Sequence, residues 1–192
     1  TPEELIRMME HDQLDIIYIL DAPRWSESWV KAMEVAEPVV FVASPAFWAQ
    51  KYAECEKNGT VKWSTKTVGQ EEISVRQITL DQILQEPFFL TEKNANYRQA
   101  LDQHLASCRC CLSPVLEISD TAFIIQMLEQ SRGLSFLPLF AVQKQIWEGT
   151  LAAVEVDDVE ISMYRQIFYH KNKFRTREME QFIIFASEEE NH

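Results

Sequence analysis

Glycine is scarce, with 4 in 192 residues, and with 7 prolines the composition excludes a collagen-like or Gly/Pro-rich disordered chain. No glycine-rich phosphate loop is present. Basic residues are few too: 18 Lys and Arg stand against 30 Asp and Glu, a formal net charge of −12. A phosphate backbone is held by clustered Lys and Arg that release counterions, so unaided nucleic-acid binding is not expected. The acidity reads first as solubility. No apolar run approaches the roughly 18 residues that cross a bilayer. The first residues, TPEELIRMMEHD, are charged and helical in pattern and lack a signal-peptide core. No membrane partner is expected. Four cysteines, three of them in CRCC (108–111), do not make a spaced disulfide framework. That favours a reducing, cytoplasmic setting. His11, His104, His170 and His192 are scattered, with neither H-E-x-x-H spacing nor a Ser–His–Asp order. Nothing reads as catalysis, and no cofactor or metal is expected.

What is present is 46% hydrophobic residues, enough for one ordinary domain or two small lobes. Thr1 as cap, Pro2 in the first turn and Glu3 and Glu4 at the positive end of the dipole open a helix. DIIYIL (15–20) has the near-continuous apolar run of a strand covered on both faces, as in parallel sheets. WVKAMEV (29–35) and PVVFVASP (38–45) read as two further strands. A helical piece over 47–59, β-like material to 77 and a short helix capped by Thr79 follow. PFFLT (87–91), a helix over 94–108, SPVLEIS (113–119) and a helix from Ser119 or Asp120 come next. Gly133 is expected to stop that last helix in a left-handed conformation. LSFLPLF, a helix stopped by Gly149, the strands LAAVEV and SMYRQIFYHK, and a closing helix complete the chain. Alternating strands and helices predict an α/β class with largely parallel sheets.

Proline inside two buried-looking strands, PVVFVASP and LSFLPLF, needs a reason, because proline cannot donate to a ladder. If each strand leaves a sheet at its proline, the two are paired crossovers between lobes. Residues 1–44 and 138–192 then form lobe I, and 45–137 form lobe II. A cleft walled by strand C-termini and helix N-termini is where α/β proteins hold small ligands.

TPEELIRMMEHDQLDIIYIL, PVVFVASPAF, ITLDQILQEPFFLTEKNANYRQALDQHL, LEISDTAFIIQMLEQSRGLSFLPLF and WEGTLAAVEV run in order along nearly the whole chain. Together they resemble the effector-binding (substrate-binding) domain of LysR-type transcriptional regulators. The resemblance implies a two-lobed, periplasmic-binding-protein-like (type 2) fold with two strand crossovers. It also implies a domain that senses a small metabolite and signals to an N-terminal winged helix-turn-helix, in a homo-oligomer. Three departures stand out. There is no DNA-reading segment, the family's usual first strand, helix and second strand of the effector domain are missing, and residues 46–77 exceed the usual connection.

TEKNANYR lies between a strand end and a helix start, where free backbone N–H groups and the dipole favour an anion. Thr91, Asn94, Asn96 and Tyr97 are therefore ligand candidates, although one asparagine as a plain cap explains the same pattern. Arg98 fits a structural ion pair better than a ligand clamp. Ser119 and Thr121 open the second such helix, with Ser119 as a cap the alternative, and Ser44 is placed at the hinge or in a plain turn. Trp25 and Trp48 are candidates to border the cleft, and Phe136 is core. CRCC suits a structural or incidental role better than a metal site, since Cys55 and His104 are its only possible partners. Peroxide-sensing members of the family carry a reactive cysteine in the stretch matching TEKNANYR, and this sequence has none there. The leading expectation is an effector-sensing regulatory domain that binds a small, anionic ligand. Alternatives are a free-standing solute-binding protein, which would need an export signal, and an enzyme on the same fold, for which Asp120 is the one tempting carboxylate.

Overall fold

The computed structural model describes residues 1–50, 62–68, 71–130, 133–157, 159 and 161–188. They fall mainly into two compact units, Thr1–Glu37 with Ser162–His192, and Pro38–Val68 with Glu72–Ile161. In the first unit, β1 (Ile17–Asp21) pairs antiparallel with β9 (Ser162–His170), which also lies beside β2 (Trp29–Ala43). Alternation along β9 feeds two faces. Phe168 meets Ile17, Ile19 and Met9 of α1 (Pro2–Glu10), while Ile167 meets Met33 and Ile183 and Ala186 of α6 (Arg177–Glu188). DIIYIL is thus not a strand covered on both faces. Its exposure alternates, and Tyr18 is 42% exposed.

Strand β2 is one continuous strand of 15 residues where two were expected. Its ladder with β7 (Leu134–Pro138) starts at Val39, one residue past Pro38, so that ladder asks Pro38 for no donor. In the second unit the latter half of β2 is flanked antiparallel by β7 and β8 (Ala152–Val156). β4 (Glu71–Ile78) runs parallel to β8, with β3 (Lys62–Val68) beyond it. The expectation of largely parallel sheets is therefore corrected: β1 pairs antiparallel with β9, and β2 with β7 and β8, although long stretches of chain separate the partners, so the alternation of strands and helices did not set strand direction. Side chains of β2 alternate between two cores. Phe41 and Ala43 pack with Leu101 and Leu105 of α3 (Asn96–Ser107), and with Ile83 of α2 (Leu80–Ile83). Val40 and Val42 pack under α4 (Thr121–Gln130) and α5 (Leu139–Trp147). Phe41 also stacks on Phe136 at 4.7 Å, so Phe136 is core as expected.

The chain leaves the first unit at Pro38 and returns after Ile161. Residues 38–44 and 138–161 thus pack in the second unit, not with the outer segments as the lobe boundaries at 44 and 138 supposed. The prolines have local reasons instead. Pro138 is the last residue of β7 and the N-cap of α5, and Pro45 opens the helical turn 45–50. Most of the expected helical piece 47–59, and Cys55 with it, lie outside the described residues.

Three helices end in the same hydrogen-bonded turn, with only one glycine among them. After α1, Asp12 and Gln13 donate back to Met9 and Met8; after α3, Arg109 and Cys110 donate to Ala106 and Leu105; after α5, Gly149 and Thr150 donate to Ile146 and Gln145. The pivots Asp12, Arg109 and Gly149 have φ of 57°, 58° and 73°. Arg109→Gly should therefore stabilise the chain by about 0.5–1 kcal/mol, the left-handed penalty less the entropy a glycine loses on folding. A higher urea midpoint at unchanged m-value is the expected reading.

Candidate functional site

Two short parallel strands, β5 (Phe89–Leu90) and β6 (Leu116–Glu117), end side by side. The Ile118 N–H donates to the Leu90 carbonyl at 3.1 Å, which locks the two exits together. Thr91 follows β5 and Ser119 follows β6. Each segment then turns within a few residues into a helix, α3 at Asn96 and α4 at Thr121. A parallel bridge from Phe88 to Leu134 sets β7 in the same direction, so α5 also begins at this edge. Three helix N-termini thus gather at the C-terminal ends of parallel strands, the edge at which open α/β sheets take ligands.

The chemistry at this edge is polar. Thr91 is 4% exposed, and its Oγ1 has no hydrogen-bond partner among the described residues. A buried hydroxyl without a partner costs about 1–3 kcal/mol, which invites a group that would satisfy it. The N-cap of α3 is Ala95, and among the described residues no side-chain hydrogen bond caps the helix. Neither Asn94, which is exposed, nor the half-buried Asn96 serves as the plain cap. Tyr97 is half-buried against both cores of the unit. In α4 the cap is Asp120, whose Oδ1 accepts from the Phe123 N–H at 3.1 Å. That leaves exposed Ser119 and half-buried Thr121 beside a satisfied helix end.

Arg98 sits beneath these segments, 2% exposed. Its Nε meets both carboxylate oxygens of Asp102 at 3.0 and 3.1 Å, and its Nη1 donates to the Thr91 carbonyl at 2.9 Å and to Glu117 Oε2 at 3.4 Å. It is the structural ion pair expected, with Glu117 an added partner. Glu117 arrives from another strand, and no local spacing in the sequence announces it.

Three candidates are placed elsewhere. β2 runs antiparallel to β7, with Ala43 opposite Leu134, so β2 ends where β7 and β5 begin. Ser44 therefore lies at the opposite edge from Thr91. Its Oγ accepts from the Phe47 N–H at 3.2 Å and caps the helical turn there. Trp48 is buried in the core at 1% exposure and borders nothing open, while Trp25 is 75% exposed in the other unit.

Comparison with known proteins gives a consistent picture. The family model described as the LysR substrate binding domain matches residues 71–190. The HTH-type transcriptional activator CmpR of Synechocystis sp. is 24% identical over 119 residues, which cover 61% of this chain and 39% of that protein. The match therefore spans well under half of the curated relative. Among solved structures, the CcmR regulatory domain of Synechocystis PCC6803 in complex with 2-PG aligns with a TM-score of 0.65 at 14% identity, covering 99% of this chain and 80% of that one. Full-length HypT of Salmonella typhimurium, a hypochlorite-specific LysR-type regulator, gives 0.65 at 16% identity, covering 96% and 54%. The effector binding domain of QuiR in complex with shikimate gives 0.62 at 10% identity, covering 96% and 75%. At such identities the structural likeness speaks to the fold alone.

Proposed function

The chain belongs to the LysR substrate-binding-domain family, whose effector-binding domains have a two-lobed, periplasmic-binding-protein-like α/β fold, and from that membership we propose that it senses a small anion at the shared end of β5 and β6. The observation that carries the reading is the buried, unpartnered hydroxyl of Thr91 beside the uncapped N-terminus of α3. Free N–H groups at that helix end would hold a carboxylate or similar group, with Thr91 donating its hydroxyl proton to the ligand. Asn94, Asn96 and Tyr97 on one segment and Ser119 and Thr121 on the other supply the remaining contacts. Ser44 is not among them, because it caps a turn at the other edge. The ligands named for similar structures include shikimate, and bromide for the HypT regulatory domain, both of them anions.

In the whole protein the domain would bias the state of a homo-oligomer whose separate winged helix-turn-helix contacts DNA. A net charge of −12 is consistent with leaving nucleic acid to another domain. Ligand affinity that differs between two arrangements would shift their populations. No helix among the described residues is long and apolar enough to cross a membrane.

The test is thermal unfolding against a panel of small carboxylates and inorganic anions, shikimate and bromide included. A ligand at ~100 times its dissociation constant should add about 2.7 kcal/mol. Thr91→Val keeps the shape and removes the hydroxyl, and is expected to weaken binding at least about tenfold, near the 1.4 kcal/mol of one hydrogen bond. A panel with no responder, or a responder indifferent to Thr91→Val, would sink the assignment of this edge.

A further inference from the structure

At the far end of α3 from Thr91, the turn described above places three thiols within four residues. Cys108 is the C-cap, Arg109 the left-handed pivot, and Cys110 the residue whose N–H closes the turn on Leu105 at 2.8 Å. Cys108 and Cys111 are exposed, and Cys110 packs partly against the core that contains Leu105. The Cys108 sulfur lies 3.9 Å from His104 Nε2, one helical turn back, and 3.8 Å from Ser107 Oγ. The Cys110 sulfur is 3.5 Å from the Cys108 carbonyl oxygen, so it is folded back against its neighbour's backbone. Among the described residues no group of three or more His, Cys, Asp and Glu is placed to hold a metal ion. What remains is an accessible thiol, a base in reach and a second thiol alongside, the set needed for thiol–disulfide chemistry.

We propose that Cys108–Cys111 is a thiol–disulfide exchange site that takes a small disulfide, with Cys108 attacking, His104 relaying the proton and Cys110 resolving. His104 Nε2, in the tautomer that leaves it unprotonated, accepts the Cys108 proton. The thiolate attacks one sulfur of the disulfide, that S–S bond breaks, and one small thiolate leaves and takes the proton from the imidazolium. The Cys110 thiol then attacks the Cys108 sulfur of the mixed disulfide and expels the second small thiol, which carries off the Cys110 proton. Two protein thiols are oxidised to one disulfide, and one small disulfide is reduced to two thiols. The change lands at the opposite end of the helix whose start carries the proposed ligand segment.

The experiment uses the whole chain, reduced, in a Cys55→Ser background, treated with 5,5′-dithiobis(2-nitrobenzoate). Three thionitrobenzoates should be released from the turn per chain, and the peptide holding residues 108–111 should carry a single aryl adduct, on the exposed Cys111, with Cys108 and Cys110 joined and two hydrogens lighter. Cys110→Ser should release two and keep adducts on both Cys108 and Cys111. His104→Gln should slow the reaction about tenfold, below the roughly 10²–10⁴-fold of a well-aligned acid–base pair because 3.9 Å exceeds such a contact. An adduct retained on Cys108 with all three thiols present overturns the exchange chemistry. A disulfide mapped to Cys111 overturns the role of Cys110, and an unchanged rate in His104→Gln overturns that of His104.

Discussion

Gly133→Ala is expected to cost about 2–3 kcal/mol, at the upper end of what overpacking a core does. A Cβ at this position would sit 2.5 Å from Phe89 Cε2 and 2.9 Å from the Pro87 carbonyl oxygen. Neither neighbour can yield easily. The Pro87 oxygen is backbone and already accepts the Leu134 N–H at 2.9 Å, and the Phe89 ring is 7% exposed among Ile124, Leu128 and Leu137. For a domain of this size the loss should appear as a fall in melting temperature of roughly 5–10 °C. Displacing Pro87–Phe89 also moves β5, whose last step is Thr91, so any anion response should weaken together with stability. Adding Phe89→Leu removes the ring clash but not the carbonyl clash. The double variant should therefore recover part of the loss, a coupling that a double-mutant cycle measures directly. A Gly133→Ala chain with unchanged stability would mean that the segment shifts freely.

Gly133 also shows where sequence reasoning stopped. Its place after a helical run suggested a left-handed helix stop, yet Gly149 is the glycine with a left-handed φ among the described residues. Gly133 is instead needed because a backbone carbonyl and a ring from residues 87–89 press against it, a contact that no local pattern encodes. Helix starts were legible where the cap is local. Thr1 accepts from the Glu4 N–H, and Thr79 donates its N–H to the Gln82 side chain. Strand partners were not. PVVFVA carries the same apolar pattern whether its neighbours run parallel or antiparallel, and the point at which the chain passes between units depends on which ladders β2 joins. The ligand segments TEKNANYR and SDT were visible as strand-to-helix turns. Their adjacency comes from the β5–β6 register, Phe89 opposite Leu116, which pairs residues far apart in the chain. Ser44 was misplaced for the same reason: a strand that ends in a polar residue looks alike at either edge of a sheet.

Arg98→Met is expected to destabilise the chain by about 2–4 kcal/mol, and the sum can be divided. The contacts to Asp102 and Glu117 involve carboxylates that are 37% and 35% exposed, so water screens them and each contributes at most about 1 kcal/mol. The larger share belongs to the Thr91 carbonyl, which loses a buried donor at a cost of about 1–3 kcal/mol. Arg98→Lys restores the charge but not the fork. One ammonium cannot reproduce the planar guanidinium that meets Asp102 through Nε while Nη1 serves both Thr91 and Glu117. The lysine chain should thus recover less than half of the loss in urea unfolding. The second consequence concerns the ligand edge. Arg98 joins the exit of β5 to the side chain of β6, so it fixes the spacing of the Thr91 and Ser119 segments without exposing its own charge. In the lysine variant, folded at low temperature, an anion that stabilises the parent chain should bind more weakly although no proposed contact has been removed. Equal anion affinity in the two chains would assign Arg98 to stability alone and leave the spacing of the two segments to the β5–β6 ladder.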